Sequence, residues 1–149
     1  MSVKYPIDIV NHKFYETVDV QVRFNDIDIF EHVNNAVIQS YFDLGRVTYL
    51  ERIYGRNFYR NDQVLIIASN KTDFHEPVLM DDELEVRTSI YEIGVKSLKM
   101  IQVIYDRRSH RIKTVCDSVM VAVQRSTGTS IELPQQWRDA IEMFEKMAH

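Results

Sequence analysis

From Asn35 onward, apolar residues recur at three- and four-residue steps. Ile38, Tyr41, Phe42, Gly45, Tyr49 and Ile53 form one stripe, and Val37, Leu44 and Leu50 widen it. A stripe this broad predicts a long helix largely enclosed by other structure. Asn34 suits the N-cap and Gly55 the C′ position. Gly45 inside the helix costs about 1 kcal/mol against alanine, which a close approach to a sheet would explain. The sequence around this helix is β-patterned. Glu16 to Phe24 alternates, with Val18, Val20, Val22 and Phe24 on one face and Thr17, Asp19, Gln21 and Arg23 on the other. Four more strands are expected at Val64 to Phe74, Glu83 to Ile93, Lys96 to Asp106 and Arg111 to Gln124, with Gly94 in a hairpin connection. Pro134 to Ala148 reads as a short amphipathic helix opened by its proline. No helical crossover separates the late strands, so the sheet is antiparallel and the class is α+β. One wrapping helix leaves an edge or face of the sheet to cover, and dimerisation is the expected cover.

The chain has 149 residues, a length for one domain over residues 1–149, large enough to bury roughly 68–70% of its unfolded surface. An apolar fraction of 45% excludes a disordered chain, and a net charge of −4 argues against a nucleic-acid or membrane-surface binder. Cys116 is the one cysteine, which excludes an intrachain disulfide; its apolar surroundings mark it as a small core residue. Met1 to Val10 lacks the apolar run of a secretory signal, and no run of 18 apolar residues occurs, so a cytoplasmic location is expected.

Between the first strand and the long helix lies a polar break, Arg23-Phe24-Asn25-Asp26-Ile27-Asp28-Ile29-Phe30-Glu31-His32-Val33-Asn34-Asn35. It sets two carboxylates, a histidine and two amides just before a helix N-terminus. Such a terminus offers unpaired N–H groups and about half a unit of positive charge, which can polarise a carbonyl and hold an oxyanion. A carboxylate facing it can serve as nucleophile or as general base toward water. Those are the parts for acyl transfer with a good leaving group. No G-x-S-x-G stands in the sequence to compete for that role.

The run R-F-N-D-I-D-(x)3-H-V-N-N, with Tyr41-Phe42-Asp43 and Arg46 after it, resembles the hotdog-fold acyl-CoA thioesterases of the 4-hydroxybenzoyl-CoA thioesterase type. The element order extends the likeness over about residues 16 to 125. The stretches Asp81 to Val86 and Ile93 to Ser97 are similar to that family's strand entry and hairpin. The resemblance implies an antiparallel sheet wrapped around a central helix. It places the catalytic aspartate on Asp28, a functional histidine on His32, and the carbonyl-holding helix start on Asn34 and Asn35. It implies dimers, paired further into tetramers, with the site between protomers and the coenzyme A (CoA) phosphates met by basic side chains. Coenzyme A enters as part of the substrate, with no separate cofactor. Two positions depart from the family pattern. Glu31 stands where many members have glycine, and either crowds the loop or adds a second acid. Asp43 stands where a glutamate is common.

Each of these residues also has a plainer role open to it. Asp28 can cap its own turn, Asp26 can bond loop amides, His32 can be a satisfied loop histidine and Asn34 an N-cap. Asp43 either holds a water or partner side chain or pairs with Arg46. Tyr41 belongs to the core or lines an acyl pocket. Lys96, Ser97 and Lys99 form one phosphate candidate, and Arg107, Arg108, His110 and Arg111 the second. Asp28 and His32 lack further ligands at metal-binding spacing, so no metal is expected. Besides thioester hydrolysis, two functions stay open. One is a hotdog hydratase or dehydratase, although its Asp-x-Asn-Pro-x-His pattern is absent here. The other is a non-catalytic protein that binds acyl-CoA. The acyl group is unread, and the choice of carrier leans to CoA over acyl carrier protein.

Overall fold

The structure is a computed structural model that describes residues 4–147. Strand β1 (Glu16–Val20) leads through a short 3-10 turn at Phe24–Asp26 into helix α1 (Asn35–Tyr54). Strands β2 (Gln63–Phe74), β3 (Leu84–Ile93), β4 (Ser97–Asp106) and β5 (Arg111–Gln124) follow. A two-residue strand β6 (Thr129–Ser130) and helix α2 (Gln135–Glu145) complete the order. The expected end of the closing helix at Ala148 lies outside the described residues. All pairings are antiparallel, in the order β1-β3-β4-β5-β2, with β6 on β5. The sheet curls around α1, as expected of a hotdog fold. Among the described residues no helix is long and apolar enough to cross a membrane.

The punctuation of α1 lies where the sequence puts it. The Asn34 side chain accepts from the Ala36 amide at 2.8 Å, and Gly55 ends the helix with φ at 86°. Gly45 meets the sheet so closely that an added Cβ would lie 2.5 Å from Val86 Cγ1. The helix therefore presses on β3 at its only residue without a side chain. Ile38 and Phe42 pack against Val86, Ile104 and Cys116 on the inner face of the sheet. Farther along, Tyr49 and Leu50 join Leu98, Met100, Trp137 and Ile141 in a second cluster, sealed by α2. Alternation along the strands sends Ile101, Val103 and Val115 to the outer face, where Tyr5, Ile7, Ile9 and Phe14 cover them.

Three expectations are corrected. The first strand stops at Val20, and Phe24 stands 83% exposed in the 3-10 turn. The reason lies in Asp26, whose carboxylate accepts the Arg23 amide and pulls the chain off the sheet before Phe24 can pair. Leu44 is exposed on the helix while Arg46 is buried. Arg46 is tolerated inside because Gln102 Oε1 accepts its Nη2 at 3.1 Å and Asp43 its Nη1 at 2.6 Å. Strand β6 has no counterpart in the expected elements; it is a return of the chain along β5 that pairs Ser130 with Val123.

Candidate active site

The polar break folds into a small closed turn set against the start of α1. Its base is tied at both ends. The Asn34 amide donates to the Asp26 carbonyl at 2.9 Å, and Ile27 and Val33 form an antiparallel bridge. Val33 is in turn held by Val78, whose carbonyl accepts its amide at 2.8 Å. Asp26 is the buried anchor. Its carboxylate accepts the Tyr41 hydroxyl at 2.6 Å and the Arg23 guanidinium at 3.1 Å. Burial alone would raise its pKa. The bonds from Tyr41 and Arg23 outweigh that and hold the carboxyl below its ordinary value of 3.8. The Tyr41 phenol is pushed up by burial and by the Asp26 charge. Tyr41 is thus a strut between helix and turn, with its hydroxyl committed to Asp26.

Asp28 sits at the head of the turn, half-buried. Its Oδ1 accepts the Phe30 amide at 2.9 Å and the His32 amide at 3.3 Å, while its own amide donates to the His32 carbonyl. Oδ2 has no protein donor among the described residues, so one carboxylate oxygen is pinned and the other is free. Glu31 explains its own departure from the family pattern. Its φ is 63°, the left-handed region that favours glycine. A glycine would adopt that backbone without strain, and this chain adopts it with a glutamate.

The first turn of α1 is the complementary half. The Asn34 side chain occupies the Ala36 amide. The Asn35 and Val37 amides have no partner among the described residues, so they are the N–H groups left to meet an oxygen. His32 borders two cavities. One, of about 260 Å³, lies between Asn35, Phe74, Val78 and Thr114. The other, of about 970 Å³, runs past Phe30, Glu31 and Met80 toward Arg108. Asp28, His32, Asn34 and Asn35 therefore come together at one end of α1. Tyr41 braces them, and Asp43 lies farther along the helix, paired with Arg46.

The two phosphate candidates separate. Arg108 and Ser109 lie at the β4–β5 turn, beside the larger cavity and on the same side as His32. Lys96, Ser97 and Lys99 lie at the opposite end of the sheet, where Lys99 pairs with Glu92 at 3.0 Å. A 20-residue helix spans about 30 Å, so within one chain those three residues do not reach the turn. Thr114 was missed by sequence reasoning. Its hydroxyl is fully buried and has no partner among the described residues, a condition that no local sequence signal announces. Among the described residues no three His, Cys, Asp or Glu side chains cluster as a metal site.

The model of the thioesterase-like superfamily matches residues 22–141. A curated relative, the uncharacterised protein YsmA of Bacillus subtilis (strain 168), is 29% identical over 82 residues, which cover 54% of this chain and 54% of that protein. The chain thus aligns with about half the length of the curated relative it matches. Among solved structures, a thioesterase from Thermus thermophilus complexed with coenzyme A and Zn has a TM-score of 0.82 at 29% identity. The match covers 91% of this chain and 98% of that one. Slr0204, a 1,4-dihydroxy-2-naphthoyl-CoA thioesterase from Synechocystis, superposes with a TM-score of 0.74 at 19% identity. The match covers 85% of this chain and 94% of that one, and this likeness speaks for the fold.

Proposed function

The chain belongs to the thioesterase-like superfamily, and from that premise we propose that it hydrolyses acyl-CoA thioesters to the free acid and CoA. The observation that carries this is the pairing at the start of α1. A carboxylate with one free oxygen is fixed on a tied turn, next to a helix start with two unpartnered amides. The Asn35 amide takes the thioester carbonyl and, with the helix dipole, stabilises the oxyanion as charge develops on it. Asp28 supplies the other half in one of two ways. It attacks the carbonyl carbon, expels the thiolate and forms an anhydride that water then cleaves, or it removes a proton from the attacking water. A thiolate leaves readily, so the chemistry needs little acid assistance. His32 borders both cavities and is assigned to the thiol side of the scissile bond. The reaction uses no cofactor beyond the CoA of the substrate.

The same reading assigns a dimer. Strand β2 is a free edge of 12 residues on which Ile66, Ile67 and Phe74 are 49%, 41% and 46% exposed. A long apolar edge invites pairing with another strand, and a two-fold pairing of β2 with β2 of a second copy covers it. Multi-angle light scattering of the purified protein is expected to give a dimer or a multiple of it.

The test is release of free thiol from a panel of acyl-CoAs, covering short, branched, straight medium-length and aromatic acyl groups. Turnover of at least one class is expected. A folded protein that releases no thiol from any of them contradicts the proposal, and crotonyl-CoA hydration in its place would point to the hydratase chemistry.

A further inference from the structure

The smaller cavity beside His32 is lined by hydrogen-bonding groups from both α1 and β5. One is the Asn35 end of α1, with its unpartnered amide. The other is Thr114 on β5. Its register partner is Ile104, which packs in the helix-side cluster, so the Thr114 side chain stands on the helix side of the sheet. Its hydroxyl is 0% exposed and has no partner among the described residues. The rest of the lining is mixed, with apolar Ile38, Phe74, Pro77 and Val78 beside polar His32, His75 and Glu76. A buried hydroxyl left without a partner is disfavoured, and native proteins satisfy such groups with a ligand or an ordered water. At about 260 Å³ the space holds a short acyl group, since a water occupies about 30 Å³.

We infer that Thr114 determines substrate specificity, with its hydroxyl bonding a second oxygen on the acyl group, so that the protein prefers short oxygenated acyl thioesters over plain alkyl ones. The inference rests on the thioesterase reading and deepens it. With the thioester carbonyl at the Asn35 amide, the acyl group extends across the cavity toward β5. A hydrocarbon there would leave the Thr114 hydroxyl without a partner. An acyl hydroxyl or keto oxygen satisfies it. Sites built to bond a substrate hydroxyl reject the analogue that lacks it, because their own polar group is then unpaired.

The experiment compares butanoyl-CoA with 3-hydroxybutanoyl-CoA and 4-hydroxybutanoyl-CoA on the wild type, Thr114→Val and Thr114→Ser. Thiol release and calorimetric binding are both read. The wild type is expected to favour one hydroxylated substrate by about tenfold or more in kcat/KM. Thr114→Val keeps the shape without the hydroxyl and is expected to erase that preference, read as the ratio of kcat/KM for the hydroxylated substrate to that for butanoyl-CoA. Thr114→Ser is expected to keep the preference and serves as the folded reference if the valine variant is unstable. A wild type that hydrolyses all three alike overturns the inference and leaves the hydrolase reading standing. So does a valine variant with the wild-type ratio, which would mean the hydroxyl holds a water only. Discriminating binding without any thiol release supports the Thr114 assignment and overturns the hydrolase reading. Neither binding nor turnover overturns both.

Discussion

The two ends of α1 are built for opposite purposes. At the C-terminal end Tyr49, Leu98, Met100 and Ile141 are fully buried, and α2 closes the cluster with Trp137. The Glu145 carboxylate ties that end together by accepting from the Tyr49 and Ser89 hydroxyls and from the Ile90 amide. At the N-terminal end the turn leaves Phe24, Ile29 and Phe30 at 83%, 91% and 72% exposure, two helix amides unpartnered and a glutamate in left-handed backbone. Exposed apolar side chains, unpartnered amides and left-handed backbone gathered at one end mark where function is expected. The cluster sealed by α2 lies at one end of the helix and the proposed chemistry at the other, about 30 Å away.

That division can be broken from either side. Trp137→Ala empties a core position and is expected to lower stability by about 3–5 kcal/mol, with kcat unchanged at a temperature where the variant is folded. Urea unfolding together with thiol release checks it; a loss of kcat in the folded variant would join the two ends. Asp26→Asn strikes the anchor of the turn and removes a buried carboxylate that receives three donors. At neutral pH it is expected to cost about 1.5–3 kcal/mol. The pKa of Asp26 is lowered in the folded chain, so the unfolded chain binds the proton more readily. The stability it contributes is therefore present above its ordinary value of 3.8 and is lost as pH falls below that toward the folded value. Urea midpoints of wild type and variant should accordingly converge on acidification from about pH 7 to about pH 3. A gap that widens instead reverses the sign. The smallest effect is Glu31→Gly, which relieves a left-handed glutamate and is expected to stabilise by roughly 1 kcal/mol, read as a small rise in the thermal midpoint. A fall in that midpoint would show that the glutamate side chain supports the turn.

Most of the skeleton was legible because its signals are local. Asn34 and Gly55 bound α1 through cap chemistry that acts within a few residues, and β5 runs from Arg111 to Gln124 as its valines imply. The Asp28–His32 turn was legible as a break in period. What escaped depends on partners far away in sequence. Arg46 is buried because Gln102 and Thr88, on two later strands, supply a polar floor beneath the helix. The pairing of β2 with β5 makes β2 an edge strand, and alternation alone does not carry that order. The direction of β4 puts Lys96 and Lys99 at the opposite end of the sheet from the turn of their own chain, which no local pattern states. Thr114 is one more β-branched residue in a strand until the cavity in front of it is seen.

The central claim is that the free oxygen of Asp28 does the chemistry while its other oxygen holds the turn. The direct measurement is kcat/KM for the best acyl-CoA substrate on wild type and Asp28→Asn, with thermal midpoints taken on the same samples. The account predicts a loss of at least about 100-fold, the scale of a removed acid–base or nucleophilic group, with the midpoint nearly unchanged. Full activity in a folded Asp28→Asn protein would contradict it and move the reaction away from this turn.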